Sequence, residues 1–135
     1  MDEKQIDALV DAATLVREKA HAPYSGYRVG AAVLTAAGEI FTGCNVENAS
    51  YGLSVCAERH AIAAAVAAGH TSFQGVAVVT SSSPAAAPCG ACRQVLAEFG
   101  DFPVVLAGLD GDQRTTTVLD LLPGAFLPQT LANDS

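Results

Sequence analysis

Residues 75–80 read Gly-Val-Ala-Val-Val-Thr, an apolar run with no polar alternation before its last position. Such a run is typical of a strand that is covered on both faces, because polar residues alternate with apolar ones only where one face meets water. Residues 103–107 form a second run of this kind, and a helical pattern over about 90–98 separates the two. Gly100 and Pro103 end that helix. The order strand, helix, strand predicts helices that pack on the faces of a sheet.

The flanking segments extend the same α/β pattern. Apolar residues at helical spacing or in short alternating runs mark each of them, and an Ala-Gly turn at 37–38 joins two strands as a hairpin. The further predicted elements are helices over 3–20, about 56–68 and 118–122, and strands over 28–35, 39–46 and 111–117. We therefore expect a three-layer α/β/α sandwich with a mixed central sheet of about five strands.

The length of 135 residues favours one domain, which we place at 1–127, followed by a flexible C-terminal tail over 128–135. Aromatic residues make up only 6% of the chain and Trp is absent, so the core must consist largely of Ala, Val, Leu and Ile. Small side chains of this kind allow helices and sheet to approach each other closely.

The net charge of −7, with no cluster of Lys or Arg, argues against a polynucleotide partner, since phosphate binding needs basic residues. A small, uncharged substrate is favoured instead. The first residues, Met-Asp-Glu-Lys-Gln, predict no signal peptide, and no apolar run approaches the length of a membrane span. We therefore expect no membrane partner and a cytoplasmic location, where thiols stay reduced.

Three of the four cysteines lie where helices are predicted to begin. Cys89-Gly-Ala-Cys92 opens one helix, and Cys56 opens the helix before it. The free N–H groups and the dipole of a helix start favour the thiolate form, which is the form that binds metal. Three thiolates leave tetrahedral zinc with one open position, as in catalytic sites. The pattern predicts one catalytic Zn²⁺ per chain, held by Cys56, Cys89 and Cys92.

Two other interpretations of the cysteines remain open at this point. If Cys44 were a fourth ligand, the site would be a structural zinc module that binds a protein partner. If Cys89 and Cys92 were a redox pair, they would oxidise reversibly without metal. His60 is expected to be structural or at the surface, because three thiolates already fill the protein ligand positions.

Two charged residues follow Cys56 directly. Glu58 is predicted to stand beside the open position of the metal, where a carboxylate can take a proton from water and pass it to a leaving group. The alternative is an ordinary acidic residue favoured by the helix start. Arg59 is predicted to offset the net −1 charge of zinc with three thiolates by donating to them, and its alternative is a solvent-exposed side chain.

Cys56-Ala-Glu58 followed by Pro88-Cys89-Gly-Ala-Cys92 resembles the motif pair of the cytidine deaminases, specifically their small homotetrameric form with three cysteine ligands. The resemblance covers roughly residues 5–127. Its other matching segments are Pro23-Tyr-Ser, Val29-Gly-Ala-Ala, Gly43-Cys-Asn-Val-Glu-Asn-Ala-Ser-Tyr51 and Leu121-Leu-Pro-Gly-Ala-Phe126. It implies zinc-dependent hydrolytic deamination of cytidine and 2′-deoxycytidine in pyrimidine salvage. A related deaminase of another cytosine nucleoside, such as blasticidin S, is the nearest alternative.

The resemblance also implies roles for individual residues in substrate binding. Asn45 and Glu47 are expected to bind the 3′-hydroxyl of the ribose, and Tyr27 stands where the family usually has Phe against the base. The backbone N–H of Ala57 is expected to bind the pyrimidine carbonyl, and the carbonyl of Ala87 the exocyclic amine.

Two aromatic residues are linked by the same resemblance to assembly. Phe126 is expected to reach into the site of a neighbouring subunit of a homotetramer, and its alternative is a Phe that caps its own core. Tyr51 is a second candidate for the subunit interface.

Overall fold

The computed structural model of this protein describes residues 1–132. Its elements follow the predicted order closely. The helices are α1 Glu3–Arg17, α2 Ala57–Ala67, α3 Gly90–Ala97 and α4 Pro128–Ala132, and the strands are β1 Gly30–Thr35, β2 Ile40–Cys44, β3 Phe73–Thr80, β4 Pro103–Gly108 and β5 Gln113–Thr117. A short 3₁₀ turn, Tyr51–Leu53, precedes α2.

The five strands form one mixed sheet in the order β2-β1-β3-β4-β5. Only β3 and β4 run parallel, and α3 connects them, whereas the other neighbouring strands are antiparallel. The register pairs Gly30 with both Cys44 and Val79, and Thr80 with Gly108. The carboxyl ends of β2, β3 and β4 therefore meet at one edge of the sheet, which is where ligands collect in open α/β sheets.

The helices cover both faces of this sheet, as predicted. On one face α1 buries Leu9 and Ala13 against Ala32, Ala77 and neighbouring side chains. On the other face α2 and α3 pack on the alternate side chains of the same strands, with a larger apolar cluster that includes Phe102. The three-layer α/β/α arrangement with a five-stranded mixed sheet is confirmed.

Glycines in two strands allow the close helix–sheet approach that the composition predicts. A Cβ atom on Gly43 of β2 would lie 2.4 Å from the amide nitrogen of Ala61 and 2.6 Å from the carbonyl oxygen of Ala57, both in α2. A Cβ on Gly30 of β1 would lie 1.9 Å from the carbonyl oxygen of Ala13 in α1. Only glycine allows the two backbones to approach this closely.

Two of the predicted helices differ from the structure, one in its end and one in its existence. Helix α1 ends at Arg17 rather than at residue 20, because His21 leaves it to form a bridge with Val46 beyond β2. Residues 118–122 form a turn instead of a helix. There the N–H of Val118 donates to the carbonyl of Phe102, and that of Leu119 to the Asp101 carboxylate, so both groups bond to another loop.

The predicted C-terminal tail includes the short helix α4, and residues 133–135 lie outside the described residues. Across residues 1–132, no helix combines the length and the apolar character that crossing a membrane requires.

Candidate metal centre and active site

The thiols of Cys56, Cys89 and Cys92 converge on one point at the shared sheet edge. The sulfur of Cys89 lies 3.7 Å from that of Cys56 and 3.4 Å from that of Cys92, and all three lie within 4.8 Å of one another. Zinc–sulfur bonds of about 2.3 Å in a tetrahedron place the sulfurs about 3.8 Å apart. The arrangement of these three sulfurs therefore fits a shared zinc ion with shifts of no more than about 1 Å.

The fourth cysteine stands apart from this cluster. Among residues 1–132, the group whose atoms could share a metal contains three cysteines and excludes Cys44. Cys44 ends β2, and its backbone carbonyl lies 2.8 Å from Nδ1 of His60. That contact ties α2 to β2 and gives His60 a structural position, as expected.

Two helix starts aim the thiols at the same place. Cys56 is the N-cap residue of α2 and Cys89 that of α3, both in extended backbone conformation. N-cap positions usually hold Ser, Thr, Asp or Asn, whose side chains bond back to the helix. Neither cysteine caps its helix in this way, so both sulfurs stay available for a ligand.

The charges around the thiols favour ionisation at Cys56. Interaction with the neighbouring Cys92 thiol, supported by the Arg59 guanidinium, lowers the pKa of Cys56 to about 5. The same interaction, together with burial, raises the pKa of the Cys92 thiol. Nη2 of Arg59 lies 3.7 Å from the Cys56 sulfur, which is the contact expected of a cation that offsets thiolate charge. Nε of Arg59 is buried without a hydrogen-bond partner among residues 1–132.

Glu58 lies in the first turn of α2 with only 5% of its surface exposed. Burial raises the pKa of this carboxyl above its ordinary value, because the interior disfavours the charged form. Glu58, Cys56 and Cys89 line the same cavity. The arrangement places a carboxyl that can hold or release a proton beside the proposed metal position.

This cavity has a volume of about 280 Å³ and gathers most of the predicted substrate residues. Its walls come from the loop before β1, the segment after β2, the start of α2 and the loop after β3. The predicted residues that line it are Tyr27, Asn45, Glu47, Cys56, Ala57, Glu58, Ala87 and Cys89. Ser25, Val29, Val78, Thr80 and Ala86 complete the lining, and none of these was singled out from the sequence.

Asn45 and Glu47 bond to the backbone of the loop that carries Tyr27. The Asn45 amide accepts from the N–H of Val29 at 2.8 Å and donates to the carbonyl of Tyr27 at 2.8 Å. One Glu47 oxygen accepts from the N–H groups of Tyr24 and Ser25, at 3.0 and 3.1 Å, and the other from the Ser25 hydroxyl. Both side chains therefore shape the cavity wall, a role that the sequence pattern did not predict.

These contacts leave the two side chains with further hydrogen-bonding capacity. An amide offers two donors and two acceptor sites, and a carboxylate about four acceptor sites, so each retains at least one. The hydrogen bond from the Ser25 hydroxyl lowers the pKa of Glu47, and its backbone contacts act in the same direction. Glu47 thus faces the cavity as an anionic acceptor.

The Tyr27 hydroxyl has a specific partner. It lies 2.6 Å from the hydroxyl oxygen of Ser82, in the loop after β3, while Tyr27 itself is 37% exposed at the cavity. Ser82 is one of three consecutive serines, and nothing in their sequence distinguishes the one that meets Tyr27.

Phe126 lies outside the cavity of its own chain. Its side chain is 56% exposed, and its backbone carbonyl accepts a hydrogen bond of 2.7 Å from Nε2 of Gln94 in α3. Within the described residues Phe126 is neither part of the core clusters nor part of the cavity wall. The alternative of a Phe that caps its own core is therefore not what the structure shows.

The chain has clear relatives. The family model of the cytidine and deoxycytidylate deaminase zinc-binding region matches residues 3–108. A cytidine deaminase from Sporosarcina psychrophila is 47% identical over 129 residues, or 94% of this chain and 95% of that protein. A probable cytidine deaminase from Dictyostelium discoideum is 46% identical over 132 residues, or 97% and 90%. The crystal structure of cytidine deaminase from Burkholderia pseudomallei superposes with a TM-score of 0.87 at 52% identity, covering 93% of this chain and 100% of that one.

Proposed function

This chain belongs to the cytidine and deoxycytidylate deaminase family, and we propose that it converts cytidine and 2′-deoxycytidine to uridine and 2′-deoxyuridine plus ammonia. It is a zinc-binding deaminase of the hydrolase class. The observation that carries the proposal is the cluster of three thiols, two of which line one substrate-sized cavity together with the buried Glu58. A cavity of about 280 Å³ lies near the lower end of the range for small-molecule sites.

Cys56, Cys89 and Cys92 are the residues that would hold zinc. When bound, zinc supplies Lewis-acid chemistry that makes a water molecule a competent nucleophile near neutral pH. Arg59 supports this centre by donating to the Cys56 sulfur, which reduces the surplus negative charge of three thiolates.

Glu58 is the proposed proton carrier. Its carboxylate accepts a proton from the attacking water and delivers it to N3 of the pyrimidine, which makes C4 more electrophilic as the water oxygen adds there. Glu58 then takes the second water proton to the exocyclic amine, which leaves as ammonia. The proton on N3 remains in the uridine product, so atoms and charges balance. The raised pKa of Glu58 suits a group that must be protonated and deprotonated within one cycle.

Backbone groups at two loops would recognise the base. Ala57 is the first residue of α2, where an N–H has no acceptor within the helix and can donate to the pyrimidine carbonyl. The carbonyl of Ala87 would accept from the exocyclic amine. Tyr27 would pack against the base, with its hydroxyl anchored on Ser82.

The remaining capacity of Asn45 and Glu47 would bind the ribose 3′-hydroxyl. An analogue without this hydroxyl would leave polar groups of the site unpaired, which is a strong basis for discrimination. In this scheme neither side chain contacts the 2′ position, where ribose and deoxyribose differ. We therefore expect both nucleosides to be substrates.

The broader setting of the enzyme is also part of the proposal. We place it in the cytoplasm, because three thiols must stay reduced to bind zinc and all four cysteines are free. Conversion of cytidine to uridine would serve pyrimidine salvage. Assembly as a homotetramer is supported by large apolar side chains that the single chain leaves exposed, among them Tyr51, which is 73% exposed, and Leu53, which is 67% exposed.

The test combines a metal assay with turnover. Purified protein is expected to contain one zinc per chain and to convert cytidine, which is measured as a decrease in cytidine absorbance. Blasticidin S is assayed in parallel as the alternative substrate. Protein that carries zinc and leaves cytidine unchanged would contradict the proposal. Cys44→Ala is the matched control for the ligand set, and it is expected to keep its zinc, whereas a structural site with four protein ligands would lose it.

A Glu58→Gln variant tests the proton carrier separately. The amide keeps the shape of the side chain but cannot accept a proton, so kcat is expected to fall by about 10²-fold or more, as for loss of general acid–base catalysis. Zinc content and thermal unfolding should match the wild type. Turnover close to that of the wild type would exclude Glu58 from this role.

A further inference from the structure

The loop after β3, residues 81–88, contributes Ala87 to the cavity wall and leads directly into Cys89. Within this loop, Ala85 is almost fully buried. Its N–H donates to Oδ2 of Asp112 at 2.7 Å, and its carbonyl accepts from Nη2 of Arg114 at 3.0 Å. Two charged side chains therefore hold both polar groups of one buried peptide segment.

Asp112 and Arg114 belong to the hairpin between β4 and β5, and neither lines the cavity. Arg114 is paired with Leu106 in the sheet, so its backbone is fixed by the β4–β5 register. Hydrogen bonds in which one partner is charged are shorter and about twice as strong as neutral ones. The clamp of Asp112 and Arg114 on Ala85 is thus a rigid support that reaches the loop from outside the site.

The two ends of the loop have other attachments. Ser82 meets the Tyr27 hydroxyl near one end, and the carbonyl of Pro88 accepts from Nε of Arg93 at 2.8 Å near the other. Arg93 also donates to the carbonyl of Leu121 at 2.8 Å, which fixes its guanidinium. Between these ends Ala85 is the point at which the middle of the loop is held, two residues before Ala87.

We propose that Asp112 and Arg114 are positioning residues, which hold the Ala87 carbonyl where it can accept the exocyclic amine and so favour cytidine over uridine. This inference rests on the proposed function. The amine is present in cytidine, whereas uridine carries an oxygen at the same position, which repels a carbonyl. Loosening the loop should therefore weaken the binding of cytidine and leave that of uridine nearly unchanged.

The experiment compares the KM for cytidine with the inhibition constant of uridine in Asp112→Ala and Arg114→Met variants of the full chain. In each, we expect the KM to rise about tenfold, as for loss of one hydrogen bond between the exocyclic amine and the Ala87 carbonyl, with the uridine constant within about twofold of the wild type. Asp112→Asn keeps an acceptor oxygen and should restore most of the cytidine affinity. Gln113→Ala changes the exposed residue between the two and is the matched control, expected to behave as the wild type.

Three outcomes would overturn the inference. They are an equal rise of the cytidine KM and the uridine inhibition constant, an equal loss of cytidine affinity in Gln113→Ala, and loss of zinc from the Asp112 and Arg114 variants. Loss of zinc would mean that the clamp positions Cys89 instead.

Amide hydrogen exchange at Ala86 and Ala87 gives a readout that does not depend on turnover. It is expected to speed up in Asp112→Ala and Arg114→Met, and unchanged exchange would also contradict the inference. A wild-type protein inactive on cytidine would refute the proposed function, while the exchange data still decide whether the clamp orders the loop.

Discussion

At the scale of single residues, the polar side chains of the cavity already form hydrogen bonds within the protein. Asn45 and Glu47 each bond to backbone groups of the loop that carries Tyr27, and Tyr27 in turn reaches Ser82. A ligand would therefore meet groups whose positions are already fixed by protein partners. Such preorganisation reduces the ordering that binding requires.

The Ser25 contact to Glu47 makes the stability of this loop depend on pH. The pKa of Glu47 in the folded protein is lowered from its ordinary 4.5, chiefly by the Ser25 hydroxyl. The stabilisation is thus fully present above the ordinary value and is lost as the pH falls through the lowered one. We expect Ser25→Ala to melt at a lower temperature than the wild type at pH 7, and the difference to shrink below about pH 4.

Ser72→Ala is the control for this comparison, because Ser72 is exposed and contributes only its backbone carbonyl to a hydrogen bond. Its melting temperature should follow that of the wild type at every pH. Scanning calorimetry of the three proteins between pH 3 and pH 8 would provide the measurement. A Ser25→Ala difference that stays constant over this range would show that the hydroxyl acts through something other than the ionised Glu47.

The sequence allowed the metal ligands to be predicted but not the loop contacts, and the physical reason is distance along the chain. Cys89 and Cys92 lie on one helical turn, and Cys56 opens another helix, so local patterns place all three. Tyr27 and Ser82 are 55 residues apart, and their contact depends on how two irregular loops are folded. Local propensity carries no information about such a contact.

At the scale of elements, the strands and helices that pack on the sheet were predicted well. Apolar periodicity reports which side chains face the core, and the core of this protein is built from such elements. The prediction was wrong at 118–122, where the N–H groups of Val118 and Leu119 bond to the loop before β4. A first helical turn leaves such N–H groups free, so these contacts do not by themselves oppose a helix. The segment stays a single turn because β5 ends at Thr117 and Pro123 cannot continue a helix, which leaves too few residues for a second turn.

The contact between β2 and α2 gives the clearest test at this scale. A Cβ at Gly43 would lie 2.4 Å from the amide nitrogen of Ala61, so Gly43→Ala must push backbone away from backbone. We expect the free energy of unfolding to fall by about 1–3 kcal/mol, as for other overpacked sites. Urea unfolding of the variant would measure the loss.

Gly90→Ala is the matched control for Gly43→Ala. Gly90 lies at the start of α3, where an added Cβ meets no atom within 4 Å, and the substitution should leave stability unchanged or slightly raised. If Gly43→Ala were as stable as the wild type, the two elements could separate at little cost. Close helix–sheet packing would then not be what fixes the position of Cys56.

At the scale of the whole molecule, a single chain leaves apolar side chains uncovered next to its own site. Tyr51 contacts Tyr24 edge to face, with ring centroids 5.6 Å apart, and both remain exposed. Phe126 is exposed as well, although the resemblance places it against a substrate. A homotetramer would cover these side chains and could complete each cavity with a residue from a neighbour. No pattern within one chain predicts which copy supplies it.

The subunit in which Phe126 acts can be determined with two impaired variants. Phe126→Ala is expected to lower kcat/KM for cytidine about tenfold or more, as for truncation of a buried aromatic contact. Glu58→Gln is expected to lose about 99% or more of the turnover at its own site but keeps an intact Phe126. If Phe126 acts in a neighbouring subunit, a mixed tetramer contains sites with Glu58 from one variant and Phe126 from the other. Co-expressing the two should therefore restore activity well above that of either alone, at a mass that sedimentation shows to be four chains.

If Phe126 served its own chain, no site of a mixed assembly could contain both intact residues. Activity would then stay at the level of the Phe126→Ala sites alone, even when differently tagged copies copurify and so prove that mixed assemblies form. A further control pairs Glu58→Gln with Cys89→Ser, because both changes lie in the same chain's site in either scheme. That pair should remain inactive, so that recovery in the first pair but not in the second assigns Phe126 to a neighbouring subunit's cavity.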